Sequence, residues 1–200
     1  MTWQPKTFGQ QCHLGRRKFL MGAVGLFAAP ATLRAEEDEL LQTEKTARRN
    51  ISSFRLHDWN DHFDTLGRGI IISDTKTRVL QHWTGEGELR IYPTSVPLTD
   101  ELTRRGYNEV VENRKNPSWA PTPSMRERNP EWPKLIKGGD PENPLGTRAL
   151  YLSWRYYRIH GTQDTRKIGR RSSNGCIGLF NQHIEEVFER APVGTQVRLI

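Results

Sequence analysis

Two residues of this 200-residue chain carry the means of covalent chemistry: His160, in His160-Gly161-Thr162, and Cys176, in Ser173-Asn174-Gly175-Cys176-Ile177. A thiol becomes a strong nucleophile when a base removes its proton, and a histidine is the usual base. Glycine beside each reactive residue lets the backbone turn sharply and come close to a substrate. Arg166, Lys167, Arg170 and Arg171 lie between the two. Their charge favours a thiolate and attracts a carboxylate-bearing substrate. The chemistry this implies is acyl transfer through a thioester. Cys176 attacks a carbonyl, and His160 takes the thiol proton and later returns one to the leaving amine. Backbone N–H groups around Gly175 and Cys176 face the oxyanion. Proteases, amidases and transpeptidases share this arrangement, and the residue chemistry alone separates none of them.

The elements around the pair must position it. Residues 149–159, rich in aromatic and β-branched side chains, predict one strand that ends on His160, with Tyr156 and Tyr157 as core or sheet residues. Beyond Cys176, Asn181 is placed to cap a helix whose Ile184, Val187, Phe188 and Ala191 share a face, with His183 exposed in its first turn. Pro192-Val193-Gly194-Thr195 ends that helix, and residues 196–200 predict a last strand that sets the C-terminus in the sheet.

Upstream, Ile70-Ile71-Ile72 and residues 79–83 read as a hairpin, and residues 89–92 as a third strand after the turn Gly85-Glu86-Gly87. His82 falls on a strand face. Leu56, Trp59, Phe63 and Leu66 keep a helical period, with Ser52 or Ser53 as cap. His57 and His62, among Asp58, Asp61 and Asp64, do not share a helix face. They read as a solvated surface, and no metal site is expected. Between Pro93 and Gly146 the pattern breaks, and nine of the 12 prolines fall there. Residues 98–105 predict a short helix in an otherwise long loop. Trp119, Met125, Trp132 and Leu135 anchor that loop as an ordered lid or cleft wall. The elements expected from the pattern are mostly strands.

The formal charge of +7 is unevenly placed, because residues 1–35 hold five Lys or Arg and no acid. The remainder carries 25 basic against 23 acidic residues, a balance of +2. The high pI is therefore poor support for nucleic-acid binding. Arg16-Arg17, the apolar run of residues 19–29 and the small residues ending near Ala35 read as an export signal of the twin-arginine type, with Sec export as the other route. Export to the periplasm is the expected localisation. Cys12 leaves with the signal, so the mature chain keeps Cys176 alone. An unpaired cysteine in an exported protein suggests reactivity. There is no internal repeat, phosphate-binding glycine loop or paired-cysteine zinc pattern.

The sequence from about Asn143 onward is specific enough for a family. Asn143-Pro144-Leu145-Gly146, Arg158-Ile159-His160-Gly161-Thr162, Ile168-Gly169, Ser173-x-Gly175-Cys176-Ile177 and Val193-Gly194-Thr195 together resemble the L,D-transpeptidases of the YkuD type. The resemblance is weaker from Gly69 to Gly139. It implies a YkuD-like β-sandwich or barrel-like domain over residues 67–200, with a few short helices and a long proline-rich loop. Residues 36–66 would be the lead-in and N-terminal helix. It implies a peptidoglycan transferase that needs no cofactor. The acyl group at position 3 of a tetrapeptide stem passes to a new amine as the terminal D-alanine leaves. The acceptor would be a second stem, giving 3-3 crosslinks, or an outer-membrane protein. By the resemblance, Cys176 is the nucleophile, His160 its base, and Gly161 orients the ring through its carbonyl. Asn174 and Gly175 are placed in the oxyanion backbone and Ser173 in substrate binding, with Arg170 or Arg171 supplying the carboxylate contact that Gly178 lacks, and carbapenems would acylate Cys176.

Two positions depart from the family pattern: Asn174, where His is frequent, and Gly178, where Arg is frequent. The first alternative is a carboxypeptidase or amidase hydrolysing the same acyl-enzyme. The second is a non-catalytic wall-binding protein of the same fold.

Overall fold

The computed structural model of the chain describes residues 54–200. The export-type segment, the lead-in up to residue 53 and the expected caps Ser52 and Ser53 lie outside the described residues. In chain order the elements are β1 (Gly69–Asp74), β2 (Val79–Thr84), β3 (Leu89–Pro93), β4 (Val96–Pro97), β5 (Gly106–Lys115), α1 (Pro123–Arg128), β6 (Arg148–Leu152), β7 (Arg158–His160), β8 (Arg171–Ser173), β9 (Ile177–Gly178), α2 (Asn181–Arg190) and β10 (Gln196–Leu199). The fold is mainly β, as the sequence leads one to expect.

Eight strands form one sheet in the order β3-β2-β1-β10-β5-β6-β7-β9, and β4 pairs with β8. β1 lies parallel to β10 and β7 parallel to β9; the other pairs in the large sheet are antiparallel. The Ile70-Ile71-Ile72 run sits where both sheet faces are covered. Ile71 joins Leu80, Val197, Leu150 and Ile159 in the main core, while Ile70 and Ile72 pack with Trp83 against Trp59, Phe63 and Leu66. Each such isoleucine contributes roughly 1.5–3 kcal/mol by leaving water.

The sheet curls until its two ends meet. Just beyond β3, Ser95 exchanges both backbone hydrogen bonds with Gly178 of β9, at 2.8 and 3.1 Å. α2 covers this core with Ile184 and Val187, and Ala191 follows at its end.

Several local expectations are revised. The helix expected around Trp59 is a single 3-10 turn, Trp59–Asp61, capped by Asp58, whose carboxylate accepts from Asn60 N–H. Short aspartates compete for backbone donors and favour such turns over a continuing helix. His57 is no solvated residue, since its side chain is only 9% exposed and its Nε2 lies 3.1 Å from Asp74 Oδ2. Residues 98–105 form bends and a single turn, not a helix. The strand expected over residues 149–159 is a hairpin, β6 and β7, folded at Ser153–Tyr157, with Tyr157 N–H donating to Trp154 O. Tyr156 is therefore an exposed turn residue with φ +68°. The α2 N-cap is Phe180, and Asn181 instead accepts from Thr147 N–H at 3.2 Å. His183 is half-buried between the rings of Tyr92 and Phe180.

Candidate active site

The site is set by β7, β9 and the turn before β9. Parallel pairing aligns Ile159 with Ile177 and His160 with Gly178, so the chain enters β9 directly from Cys176. Gly175 holds φ +129°, which side-chain-bearing residues rarely adopt, and this lets the turn present Cys176 at its exit. Ser173 braces the same turn: its hydroxyl donates to Cys176 O and accepts from Gly175 N–H.

His160 and Cys176 line one cavity of about 410 Å³. The His160 ring is fixed by its Nδ1, 2.5 Å from Gly161 O. A carbonyl can only accept, so Nδ1 carries the hydrogen and Nε2 keeps the lone pair a base needs. The Cys176 thiol donates to Tyr156 O at 3.3 Å. The left-handed conformation of Tyr156 sets that carbonyl at the cavity.

Electrostatics make both groups neutral at rest. Burial pushes the His160 pKa down to about 4, with Arg158 and Lys167 adding to the fall and the Gly161 carbonyl opposing it. Burial also pushes the Cys176 thiol up, while Arg158 pulls the other way through its charge and its hydrogen bonds. Near neutral pH the pair is imidazole and thiol, so proton transfer accompanies attack.

The expected loop forms one wall of the cavity. Trp119, Met125, Trp132 and Ile136 supply its apolar surface, whereas Leu135, expected as an anchor, is exposed and lies outside the lining. Trp119 and Ile136 bridge through two backbone hydrogen bonds, and the Trp119 and Trp132 rings lie 5.5 Å apart. Buried Asn143 fixes the loop's return: its amide donates to Pro117 O and Lys137 O, and its Oδ1 accepts from Leu145 N–H. Thr122 caps α1, its hydroxyl accepting from Met125 N–H. The loop's long irregular path is thus held by side-chain-to-backbone bonds.

The other sequence-derived residues divide. Ser173, Asn174 and Gly175 line the cavity with the pair. Arg170 and Arg171 lie outside the lining. Arg171 is drawn to Asp100 at 2.7 Å and to Pro97 O, and Arg170 is exposed. Arg166, expected to bias the thiol, is 84% exposed and paired with Asp164. Lys167 reaches the cavity, as does Arg158, which the sequence reading passed over as an ordinary strand residue. Its signal was position: two before His160, it shares that residue's side of a strand. Among the described residues no group of three or more His, Cys, Asp or Glu could hold a metal ion.

A family model, the L,D-transpeptidase catalytic domain (YkuD), matches residues 67–199. A Fuscovulum blasticum protein carrying the L,D-transpeptidase name (ORF 5 of the ATP synthase subunits region) is 56% identical over 156 residues, 78% of this chain and 82% of that protein. ErfK/SrfK and YbiS of Escherichia coli K12, which carry the same name, are 34% and 35% identical over 142 residues. Those matches take in 68% of this chain but 45% and 46% of theirs, so this chain spans less than half the length of either. Among solved structures, L,D-transpeptidase 3 of Mycobacterium tuberculosis superposes with a TM-score of 0.53 at 12% identity, over 66% of this chain and 61% of that one. LdtMt1 in complex with imipenem gives 0.51 at 14%, over 66% and 59%. At these identities the likeness is one of fold.

Proposed function

This chain belongs to the L,D-transpeptidase catalytic-domain family, and on that premise we propose that it transfers acyl groups of peptidoglycan tetrapeptide stems through a thioester on Cys176. The observation that carries the proposal is the pairing in one cavity of Cys176 with a histidine whose Nδ1 is tied to Gly161 O. The free Nε2 takes the Cys176 proton as sulfur bonds to the carbonyl carbon of the third stem residue. The tetrahedral oxyanion collapses, the C–N bond to D-alanine breaks, and the leaving amine takes the proton from His160. An acceptor amine then attacks the thioester. Its proton passes to His160 and on to the departing sulfur, which restores the thiol. The Gly175–Cys176 backbone supplies oxyanion donors, and the Trp119–Met125–Trp132 wall excludes water that would hydrolyse the thioester.

A periplasmic setting is part of the proposal and rests on Arg16-Arg17 and the apolar run that follows. Carbapenem acylation of Cys176 follows from the same chemistry, and the imipenem complex of LdtMt1 supports it. The test is incubation of the purified, reduced chain and its Cys176→Ala variant with disaccharide-tetrapeptide, followed by mass spectrometry. A Cys176-dependent crosslinked dimer, or exchange of terminal D-alanine for an added D-amino acid, is the expected result. Tripeptide alone assigns hydrolysis instead. Absence of product with stems, D-amino acids and outer-membrane-protein amines, beside an unreactive thiol, assigns wall binding.

A further inference from the structure

Arg158 occupies a position that the reaction described above leaves unused. The parallel register Ile159↔Ile177 and His160↔Gly178, extended back by one residue, sets Arg158 beside Cys176. Paired residues of a parallel ladder point to the same side, and residues two apart on a strand do so as well. Arg158, His160 and Cys176 therefore converge, and all three line the cavity. The charge and the hydrogen-bonding groups of Arg158 both act to hold the Cys176 thiol pKa down against its burial.

The guanidinium is held in place from its other side. Arg158 pairs with Tyr151 across β6–β7, and its Cζ lies 4.7 Å from the Tyr151 ring centroid. Arg114 lies over the same ring at 4.8 Å. Arg158 Nε is buried and lacks a hydrogen-bond partner in the free protein. A buried, unsatisfied N–H costs stability unless a ligand or transient charge uses it. The motif cation frequent in the family is absent here, because position 178 is glycine.

We propose that Arg158 is a third catalytic side chain of this site, a fixed cation at the Cys176 sulfur that supports the thiolate while His160 holds its proton. The assignment rests on Cys176 being the nucleophile. His160 is neutral until it has taken the proton, so its charge is not in place as the transfer begins. Arg158 supplies a charge that no proton movement removes.

The test is the pH dependence of Cys176 alkylation by iodoacetamide in the full chain, for wild type, Arg158→Gln, Arg158→Met and Arg158→Lys. The expected result is a midpoint displaced upward by about one pH unit in Arg158→Gln and Arg158→Met, with alkylation at pH 7 slowed about tenfold. Arg158→Lys stays closer to wild type. Arg158→Met fills much of the same volume without the charge, so it separates charge from packing. A structural role alone lowers the limiting rate at high pH without moving the midpoint. A midpoint unmoved in either neutral variant, or moved equally by Arg158→Lys, overturns the proposal. Alkylation needs no peptidoglycan, so it reads this assignment separately. A shifted midpoint in a protein that turns over no tetrapeptide sinks the proposed reaction and leaves Arg158 standing.

Discussion

Arg128, the last residue of α1, donates from its Nη2 to Asn174 Oδ1 at 3.0 Å, tying the loop wall to the turn that presents Cys176. Asn174 stands where the family often has histidine, so the side chain that departs from the pattern is the one that receives the wall. The bond is exposed and involves a charge, and is worth about 0.5–1 kcal/mol. Arg128→Ala and Asn174→Ala are each expected to raise KM for the tetrapeptide roughly two- to fivefold and to leave kcat within about twofold. Steady-state kinetics of D-amino-acid exchange would check this. A fall in kcat at unchanged KM would place Asn174 on the reacting atoms and not on the wall.

Gly178 and Ser95 are matched in the same way. A Cβ built at position 178 would clash with Ser95 Oγ, and Ser95 is buried. The backbone bonds hold the two main chains in place, so the Ser95 hydroxyl must turn about its Cα–Cβ bond to make room. Gly178→Ala is expected to cost roughly 1–3 kcal/mol in chemical denaturation. Ser95→Ala removes the obstructing hydroxyl, so the double variant should regain most of that loss. A coupling energy of about 1 kcal/mol or more in the double-mutant cycle supports the contact, and simple additivity refutes it.

The parts legible in sequence were those where local chemistry and packing agree. The run Ile70-Ile71-Ile72 reads as a strand because it is buried on both faces, and the paired glycine motifs pointed to His160 and Cys176. β5 was missed because its ten residues offer only Tyr107, Val110 and Val111 as apolar side chains, and a bulge at Val110–Glu112 disrupts its alternation. The turn at Ser153–Tyr157 was missed because it has no glycine, proline or asparagine, and Tyr156 bears the positive φ. Arg158 was missed with it. While residues 149–159 read as one strand, nothing set Arg158 against the register of β9.

Tyr156 tests whether that turn is strained. A non-glycine residue in the left-handed region costs roughly 1–2 kcal/mol. Its ring is exposed and carries Arg155 at 4.8 Å, a contact worth about 0.5–1 kcal/mol. Tyr156→Ala loses the ring and keeps the strain, whereas Tyr156→Gly loses the ring and relieves the strain. The glycine variant should be the more stable of the two by about 1 kcal/mol. Thermal unfolding compares them directly, and equal midpoints would mean that the turn stores no strain. Both variants keep the main-chain carbonyl that receives the Cys176 thiol.

The two buried histidines should make the fold acid-sensitive well above the range of carboxylate titration. Burial holds His82, which is 0% exposed, down at about 4, and His160 likewise. In the unfolded chain each titrates near its ordinary value of 6.5. Between those values the unfolded state binds more protons, so stability is full above about pH 6.5, falls as the pH drops towards 4, and falls no further from these groups below that. Between pH 7 and pH 5 each contributes a loss of about 2 kcal/mol. His82 lies apart from the cavity, so His82→Leu separates the two contributions without touching the reacting residues. Whatever its stability at pH 7, the variant should lose about 2 kcal/mol less than wild type on going to pH 5. Denaturant unfolding at the two pH values reads the difference, and parallel losses in variant and wild type would show that His82 titrates alike in the folded and unfolded chains.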